Sequence, residues 1–276
     1  MRSAITICLV AEARGGPFVF HEGLADGCAR AAARGYDAVE IFPPAANAVD
    51  IAELQGLLDH HGLKVAAIGT GGGWLVHKWT LTSPDAAIRA HARDFIRAII
   101  DLAGGCGAPA IIGSMQGRVE NGIAREQALA WLGEALDDLG EYAAATHGTA
   151  LLYEPLNRYE TNLFNRITET AAWLRTLKTS RVRILADLFH MNIEEHDLPA
   201  ALRDAGALVG HVHFADSNRR AIGLGHTNAA PIVAALREIG YTGYLSAEIL
   251  PLPDADTAAR QTIESFRKFT VEGTAD

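Results

Sequence analysis

Four side chains in the second half of this 276-residue chain could together hold a divalent metal: Glu154, Asp187, His213 and Glu248. Three oxygen donors and one imidazole nitrogen suit Mn²⁺ first, with Mg²⁺ or Co²⁺ next, rather than a thiolate-preferring ion. Each stands at or near the end of a short apolar run: Ala150–Glu154, Val182–Asp187, Val209–Phe214 and Tyr244–Ile249. An acid carried into apolar surroundings is costly unless paired or bound to a cation. Acids gathered at one place repel one another, and a divalent ion removes the conflict. His211 and His213 lie two apart, so on a strand both point to the same side. His213 is nearer the strand end and is taken as the ligand. His211 is read as a hydrogen-bonded core histidine in the layer below.

Side chains on separate runs meet only if the fold brings the run ends together. Short β-rich runs alternate with stretches of helical period along the whole chain. The remaining strands are expected at Ile5–Val10, Ala38–Phe42, Val65–Gly69 and Ala110–Ser114. Helices are expected near 22–34, 49–61, 85–104, 123–147, 167–177, 197–205, 229–239 and 255–271. Several strands are continuous apolar runs, as in a parallel sheet buried on both faces. Gly35, Gly62, Gly148 and Gly240 stand where helix C-caps are wanted, and Asp85 and Thr168 where helices would start. Eight βα units in a chain of this length predict an α/β fold, a (β/α)8 TIM barrel with residues 1–276 as a single domain. An open doubly wound sheet is the other option, but no G-x-G-x-x-G follows the first strand. In a barrel the chemistry lies at the C-terminal strand ends, where the four ligands fall. Glu272–Asp276 read as a frayed tail.

Composition excludes several functions. The chain is 49% apolar and 21% charged, which rules out disorder as its main state. A formal charge of −9 argues against nucleic acid and against an anionic membrane surface. No apolar run reaches the length of a spanning helix. The three cysteines, Cys8, Cys28 and Cys106, form no C-x-x-C pair. A disulfide framework is not expected, and a reducing, cytoplasmic setting fits. Met1-Arg2 before an apolar run imitates a signal peptide, but the run is short and reads as the first strand.

The strings Glu154-Pro-Leu-Asn-Arg-Tyr-Glu160, Asp187-Leu-Phe-His-Met-Asn-Ile-Glu-Glu195, His213-Phe-Ala-Asp-Ser-Asn-Arg219 and Ser246-Ala-Glu248 resemble the xylose-isomerase-like sugar isomerase/epimerase superfamily. Within it the match is nearest to the D-tagatose 3-epimerase / D-psicose 3-epimerase (ketose 3-epimerase) group. The ligand spacings of 33, 26 and 35 residues (154 to 187, 187 to 213, 213 to 248) fit that group. The resemblance covers the second half of the barrel; the first half matches only as generic barrel. It implies that Glu154, Asp187, His213 and Glu248 bind one divalent metal, with Glu154 and Glu248 doubling as the acid/base pair. It implies that His190, Arg219 and Glu160 hold the O1–O2 end of a small-molecule sugar. It also implies a homo-oligomer, a dimer or tetramer. The segments Ala11–Gly16, Gly71–Trp79 and the loop after Arg219 depart from the group's pattern, so chemistry transfers better than substrate identity.

The expected reaction is epimerisation of a ketose, or a related keto-sugar, at C3 through a cis-enediolate. It needs a base on each face of the carbon and a way to hold enolate charge. Trp74, Trp79 and Phe189 are candidates for an apolar wall over the sugar, with Trp74 the first choice. His77, His226 and Gln116 could touch hydroxyls. Gly71–Gly73 could cradle a phosphate, though no Lys-Ser/Thr pattern adjoins it. The alternatives are an aldose–ketose isomerase on the same metal, a lyase of the dehydroshikimate dehydratase type, and a non-catalytic sugar-binding protein. The last has no need of two bases.

Overall fold

A computed structural model describes residues 1–120 and 122–270 of the chain. The expected tail Glu272–Asp276 and residue 271 of the last expected helix lie outside the described residues. Eight parallel strands close into a barrel in sequence order. They are β1 (Arg2–Cys8), β2 (Ala38–Phe42), β3 (Lys64–Gly69), β4 (Ala110–Ile112), β5 (Leu151–Tyr153), β6 (Val182–Asp187), β7 (Val209–His213) and β8 (Tyr244–Ala247). The helices are α1 (Leu24–Arg34), α2 (Ile51–His61), α3 (Gly72–His77), α4 (Ala86–Gly105), α5 (Arg125–His147), α6 (Ile167–Leu174), α7 (Leu188–Glu194), α8 (Leu198–Ala205), α9 (Ala229–Glu238) and α10 (Ala255–Thr270). All eight expected helices are present. The fold is a single-domain (β/α)8 TIM barrel, as expected from the alternation. No helix among the described residues is long and apolar enough to cross a membrane.

Two short helices, α3 and α7, occupy segments read as strand-end loops. α7 forms because Asp187, the last residue of β6, doubles as a helix cap. Its Oδ1 accepts from the backbone N–H of Phe189 at 2.7 Å and of His190 at 3.3 Å, satisfying donors that every helix start leaves open. α6 starts one residue before the expected Thr168. The side chain of Glu195 supplies the missing acceptor, taking the Ile167 N–H at 2.7 Å. Elsewhere the caps follow expectation: Asp85 caps α4, and Gly35, Gly62 and Gly148 close α1, α2 and α5 in the left-handed conformation.

Strand residues alternate between the helices and the lumen. Ile5, Ile7, Val39 and Ile41 pack in the large core under the helices. Ala4, Ala38 and Ala66 cluster separately with Tyr244, and Cys8, Phe42, Ala67, Ile111, Leu152 and Leu185 form a third cluster. These two smaller clusters fill the lumen in layers. The layer between them is polar: Thr6 pairs with Glu40 across β1 and β2, and His211 faces it from β7. The ladder slips at two places, between Val39 and Glu40 and between Ile184 and Leu185. The second slip brings His211 beside Leu185, so both irregularities flank the residues of the polar layer. Bulges of this kind re-aim side chains beside functional sites.

Candidate active site

The four expected ligands meet. Glu154 and Glu248 follow β5 and β8 directly; Asp187 and His213 end β6 and β7 and stand opposite each other in the ladder. One donor atom from each lies within 4.8 Å of those of the other three, and all four side chains are buried. His213 Nδ1 is 3.2 Å from Asp187 Oδ2 and 3.5 Å from both Glu154 Oε1 and Glu248 Oε2.

The electrostatics of this cluster ask for a cation. Burial raises the Glu248 carboxyl above the usual carboxylate range. His213 and Arg219 oppose this, but Glu154 and Asp187 add to it, and the net shift is upward. Burial would also raise Asp187, but His190, His213 and Arg219 outweigh it and hold it well below its usual value. Burial would lower His213, yet the acids around it raise it well above an ordinary imidazole. Glu154 Oε1 is buried without a hydrogen-bond partner. An orphaned carboxylate oxygen aimed at two further acids and an imidazole fits a divalent ion, and the O₃N donor set suits a hard one.

Glu40, which the reading of strand ends passed over, explains the orientation of His213. Its carboxylate is fully buried in mid-β2. Oε1 lies 2.9 Å from His213 Nε2, and Oε2 lies 2.5 Å from His211 Nε2. Burial raises this carboxyl, but the two imidazoles win and hold it far below the usual range, so it is an acceptor only. Each imidazole therefore donates from Nε2, and an ion that displaces the second proton of His213 would meet the Nδ1 lone pair in the cluster. A carboxylate behind a ligating histidine is the usual device for fixing tautomer and ring angle. Glu40, His211 and His213 also satisfy the spacing of a metal cluster. The hydrogen-bond distances place protons, not an ion, between them. His211 is thus the hydrogen-bonded core histidine expected. The signal that could have found Glu40 was an acid inside the run Ala-Val-Glu-Ile-Phe, which must be paired if the run is buried.

His190 on α7 is buried beside the ligands. Its Nδ1 accepts from the Asn157 backbone N–H at 3.3 Å and from Asn157 Nδ2 at 2.8 Å. That puts the proton on Nε2, which has no partner and lies 3.9 Å from Glu154 Oε1 and 3.8 Å from Asp187 Oδ2. His190 thus presents a free N–H to whatever occupies the site. Arg219 sits at positive φ, rare for a residue with a side chain, which is a strain typical of functional positions. Its Nη2 pairs with Glu248 Oε2 and lies 3.6 Å from Asp187 Oδ2, and its guanidinium covers the Phe189 ring at 4.8 Å. Glu160 accepts from Asn157 Nδ2 at 3.1 Å and is 3.8 Å from Arg219 Nη1.

A cavity of about 290 Å³ opens onto these groups. Glu154, Glu248, Arg219 and Glu160 line one side. The apolar side is Phe18, Phe42 and Leu75, with the two rings packed at 4.5 Å. Among the described residues Trp74 lines a neighbouring cavity and not this one. Trp79 is stacked between His77 and His91 at 4.1 and 5.2 Å, away from both cavities. His226 bonds Ser217 Oγ at 2.6 Å in its own loop. Gln116 spends both ends internally: Nε2 donates to the Glu154 and Gly113 carbonyls, and Oε1 accepts from Tyr153. It positions the Glu154 backbone instead of binding a hydroxyl. Gly72 and Gly73 open α3, and a Cβ on Gly72 would meet the Pro43 carbonyl at 2.6 Å.

Two supports of the site carry predictions. A Cβ on Gly113 would stand 2.6 Å from Glu154 Oε2. Gly113→Ala therefore displaces that carboxylate, and Mn²⁺ affinity by calorimetry falls about tenfold with melting little changed. Asp216 organises the loop that begins after β7. Its buried carboxylate accepts the N–H groups of Ser217, Gly223, Gly225 and Thr227 at 2.7–2.9 Å. Burial would raise it, but these four donors prevail and its carboxyl sits below the usual range. A depressed acid stabilises the fold above its unfolded pKa, and that stability drains away as pH falls through the lower folded value. Asp216→Asn should cost about 1–3 kcal/mol at pH 7, and its melting temperature should converge on the parent's below about pH 4.

A closed barrel with three buried acids and a histidine gathered at its C-terminal mouth defines a class: TIM barrels with a candidate divalent-metal site. The comparisons narrow it. The model of the family described as xylose isomerase-like TIM barrel matches residues 28–269. An L-ribulose 3-epimerase of Methylomonas sp. (strain DH-1) is 31% identical over 245 residues, 87% of this chain and 83% of that protein. A D-psicose 3-epimerase of Agrobacterium fabrum is 29% identical over 228 residues, 76% of this chain and 73% of it. The crystal structure of a Methylomonas sp. D-allulose 3-epimerase with D-allulose superposes with TM-score 0.79 at 25% identity, covering 98% of each chain. The chain belongs to the xylose isomerase-like TIM barrel family and is closely related to the ketose 3-epimerases.

Proposed function

We propose that this protein epimerises a ketose at C3, with Glu154 and Glu248 as the two bases and a divalent ion, Mn²⁺ first, held by Glu154, Asp187, His213 and Glu248. The observation that carries this reading is that both glutamates line the same cavity from strands three apart, beside a free His190 N–H and the Arg219 guanidinium. The bound ion would supply Lewis-acid stabilisation of the oxygen charge that develops when the C3 proton leaves.

The chain's own groups divide the rest. One glutamate removes the C3 proton, and the other, protonated, returns one on the opposite face. Asp187 spends Oδ1 on the cap of α7, whereas Glu154 and Glu248 line the cavity, which separates the fixed charge from the acid/base pair. His190 Nε2 and Arg219 donate to the enediolate oxygens of the substrate. Glu160 accepts from a hydroxyl and keeps Arg219 in place. Phe18, Phe42 and Leu75 cover the carbon face of the sugar and exclude water.

The test is proton exchange. With Mn²⁺ present, ketoses incubated in D₂O should gain deuterium at C3 as the 3-epimer appears, read by NMR. Chelation should stop the exchange and lower the melting temperature, because an ion at 100 times its Kd adds about 2.7 kcal/mol. Deuterium at C1 with formation of an aldose would instead identify an aldose–ketose isomerase. Binding of sugar and ion without exchange would identify a binding protein.

A further inference from the structure

The cavity at the metal ligands is only the inner part of the cleft. A second cavity of about 340 Å³ adjoins it, and Ser114 and Glu160 belong to the walls of both. Trp74 and Tyr159 line the outer one, together with Thr80 and Arg118. Trp74 is 36% exposed and Tyr159 is 77% exposed. Large aromatic surface left in water beside a cleft marks a binding surface. Trp74 stands in α3 with the Lys78 ammonium 4.8 Å from its ring centre, and the Tyr159 N–H donates to Asn157 Oδ1 at 3.0 Å. Asn157 is the residue that sets His190 and Glu160, so the outer wall is tied to the inner site through one side chain.

The inner cavity, at about 290 Å³, lies at the small end of ligand pockets. We infer that the outer cavity is a subsite for a second sugar ring, and that the preferred substrate is a ketose carrying a glycosyl group on its distal end. This rests on the C3-epimerase reading and names its substrate class. The apolar C–H face of a pyranose suits an aromatic ring, and Thr80, Arg118 and Glu160 offer donors and acceptors to its hydroxyls. The ketose end lies among Glu154, Glu248 and Arg219, and the second ring lies past Glu160.

The experiment compares D-fructose with isomaltulose, a fructose bearing glucose on O6, using the Mn²⁺-loaded protein. C3 deuteration in D₂O should give isomaltulose a kcat/KM about tenfold or more above fructose. Trp74→Ala and Tyr159→Ala should each cut that ratio about tenfold. Fructose exchanging as fast as isomaltulose, or variants that leave the ratio unmoved, would overturn the inference while leaving the epimerase reading intact. Tryptophan fluorescence gives a readout without turnover: isomaltulose should quench it saturably, more weakly in Tyr159→Ala. If neither sugar exchanges at C3, the epimerase reading fails. The quenching then decides the subsite alone, kept by saturable quenching that needs Tyr159 and lost without it.

Discussion

Glu154→Gln and Glu248→Gln should each lower epimerisation by about 10³-fold, within the 10²–10⁴ range of acid–base catalysis. Each should still exchange the C3 proton of one epimer with solvent. The amide keeps the shape and one oxygen donor of the carboxylate, so the metal can stay bound while the base is lost. With one base gone, the other can still remove and return a proton on its own face. Inversion, which needs both, stops. Deuterium should therefore enter one epimer in the Glu154 variant and the other epimer in the Glu248 variant, with no conversion between them. The double variant should lose both exchanges. Rates are read at saturating Mn²⁺, with occupancy measured by EPR, so that loss of metal is separated from loss of base. A variant that keeps epimerising would remove its glutamate from the reaction. Loss of exchange from both epimers in one variant alone would point to a single-base mechanism.

The barrel was legible because each βα unit writes its own period. Strand runs and helical stretches alternate, and glycines stand where helices close. The candidate metal cluster was legible for a related reason: an acid at the end of an apolar run has few structural uses. What was not legible lay off those ends. Glu40 sits in the middle of β2, and its partners come from β7, 171 and 173 residues away in sequence. Periodicity carries no information about a contact that far apart. The helices α3 and α7 were hidden by their shortness and because Asp187 serves a strand, a cap and the metal cluster at once. The apolar wall was assigned to Trp74, Trp79 and Phe189, while the apolar lining of the cavity is Phe18, Phe42 and Leu75. Phe18 and Phe42 belong to the first two βα units, where the resemblance was only generic. Gln116 was read as a candidate for bonding a hydroxyl, since nothing local announces that Tyr153 and Glu154 enclose it.

Glu40 carries the second large prediction, since two independent properties hang on one carboxylate. Glu40→Ala leaves two buried imidazole N–H groups without an acceptor. Breaking a buried, hydrogen-bonded pair of this kind costs about 3–5 kcal/mol. Mn²⁺ affinity should fall by about 10–100-fold, the usual loss when the group behind a ligating histidine is removed. Glu40→Gln keeps the volume and guards against a variant that fails to fold. Its amide offers one acceptor oxygen where the carboxylate offered two. One histidine must then accept from the amide NH₂ and move its own proton to Nδ1. If that histidine is His213, the proton points into the ligand cluster and competes with the ion. ¹⁵N-detected imidazole spectra tell which ring has changed tautomer, and calorimetry with Mn²⁺ reads the affinity. His211→Asn is the control, because it disturbs the same buried carboxylate from the other side. It should lower the melting temperature yet leave Mn²⁺ affinity within a few fold of the parent. Equal losses of affinity in the Glu40 and His211 variants would mean that the polar layer acts only through stability. A large loss confined to Glu40 would mean that the carboxylate orients His213, so that the ligand set extends one layer deeper into the barrel than its four donors.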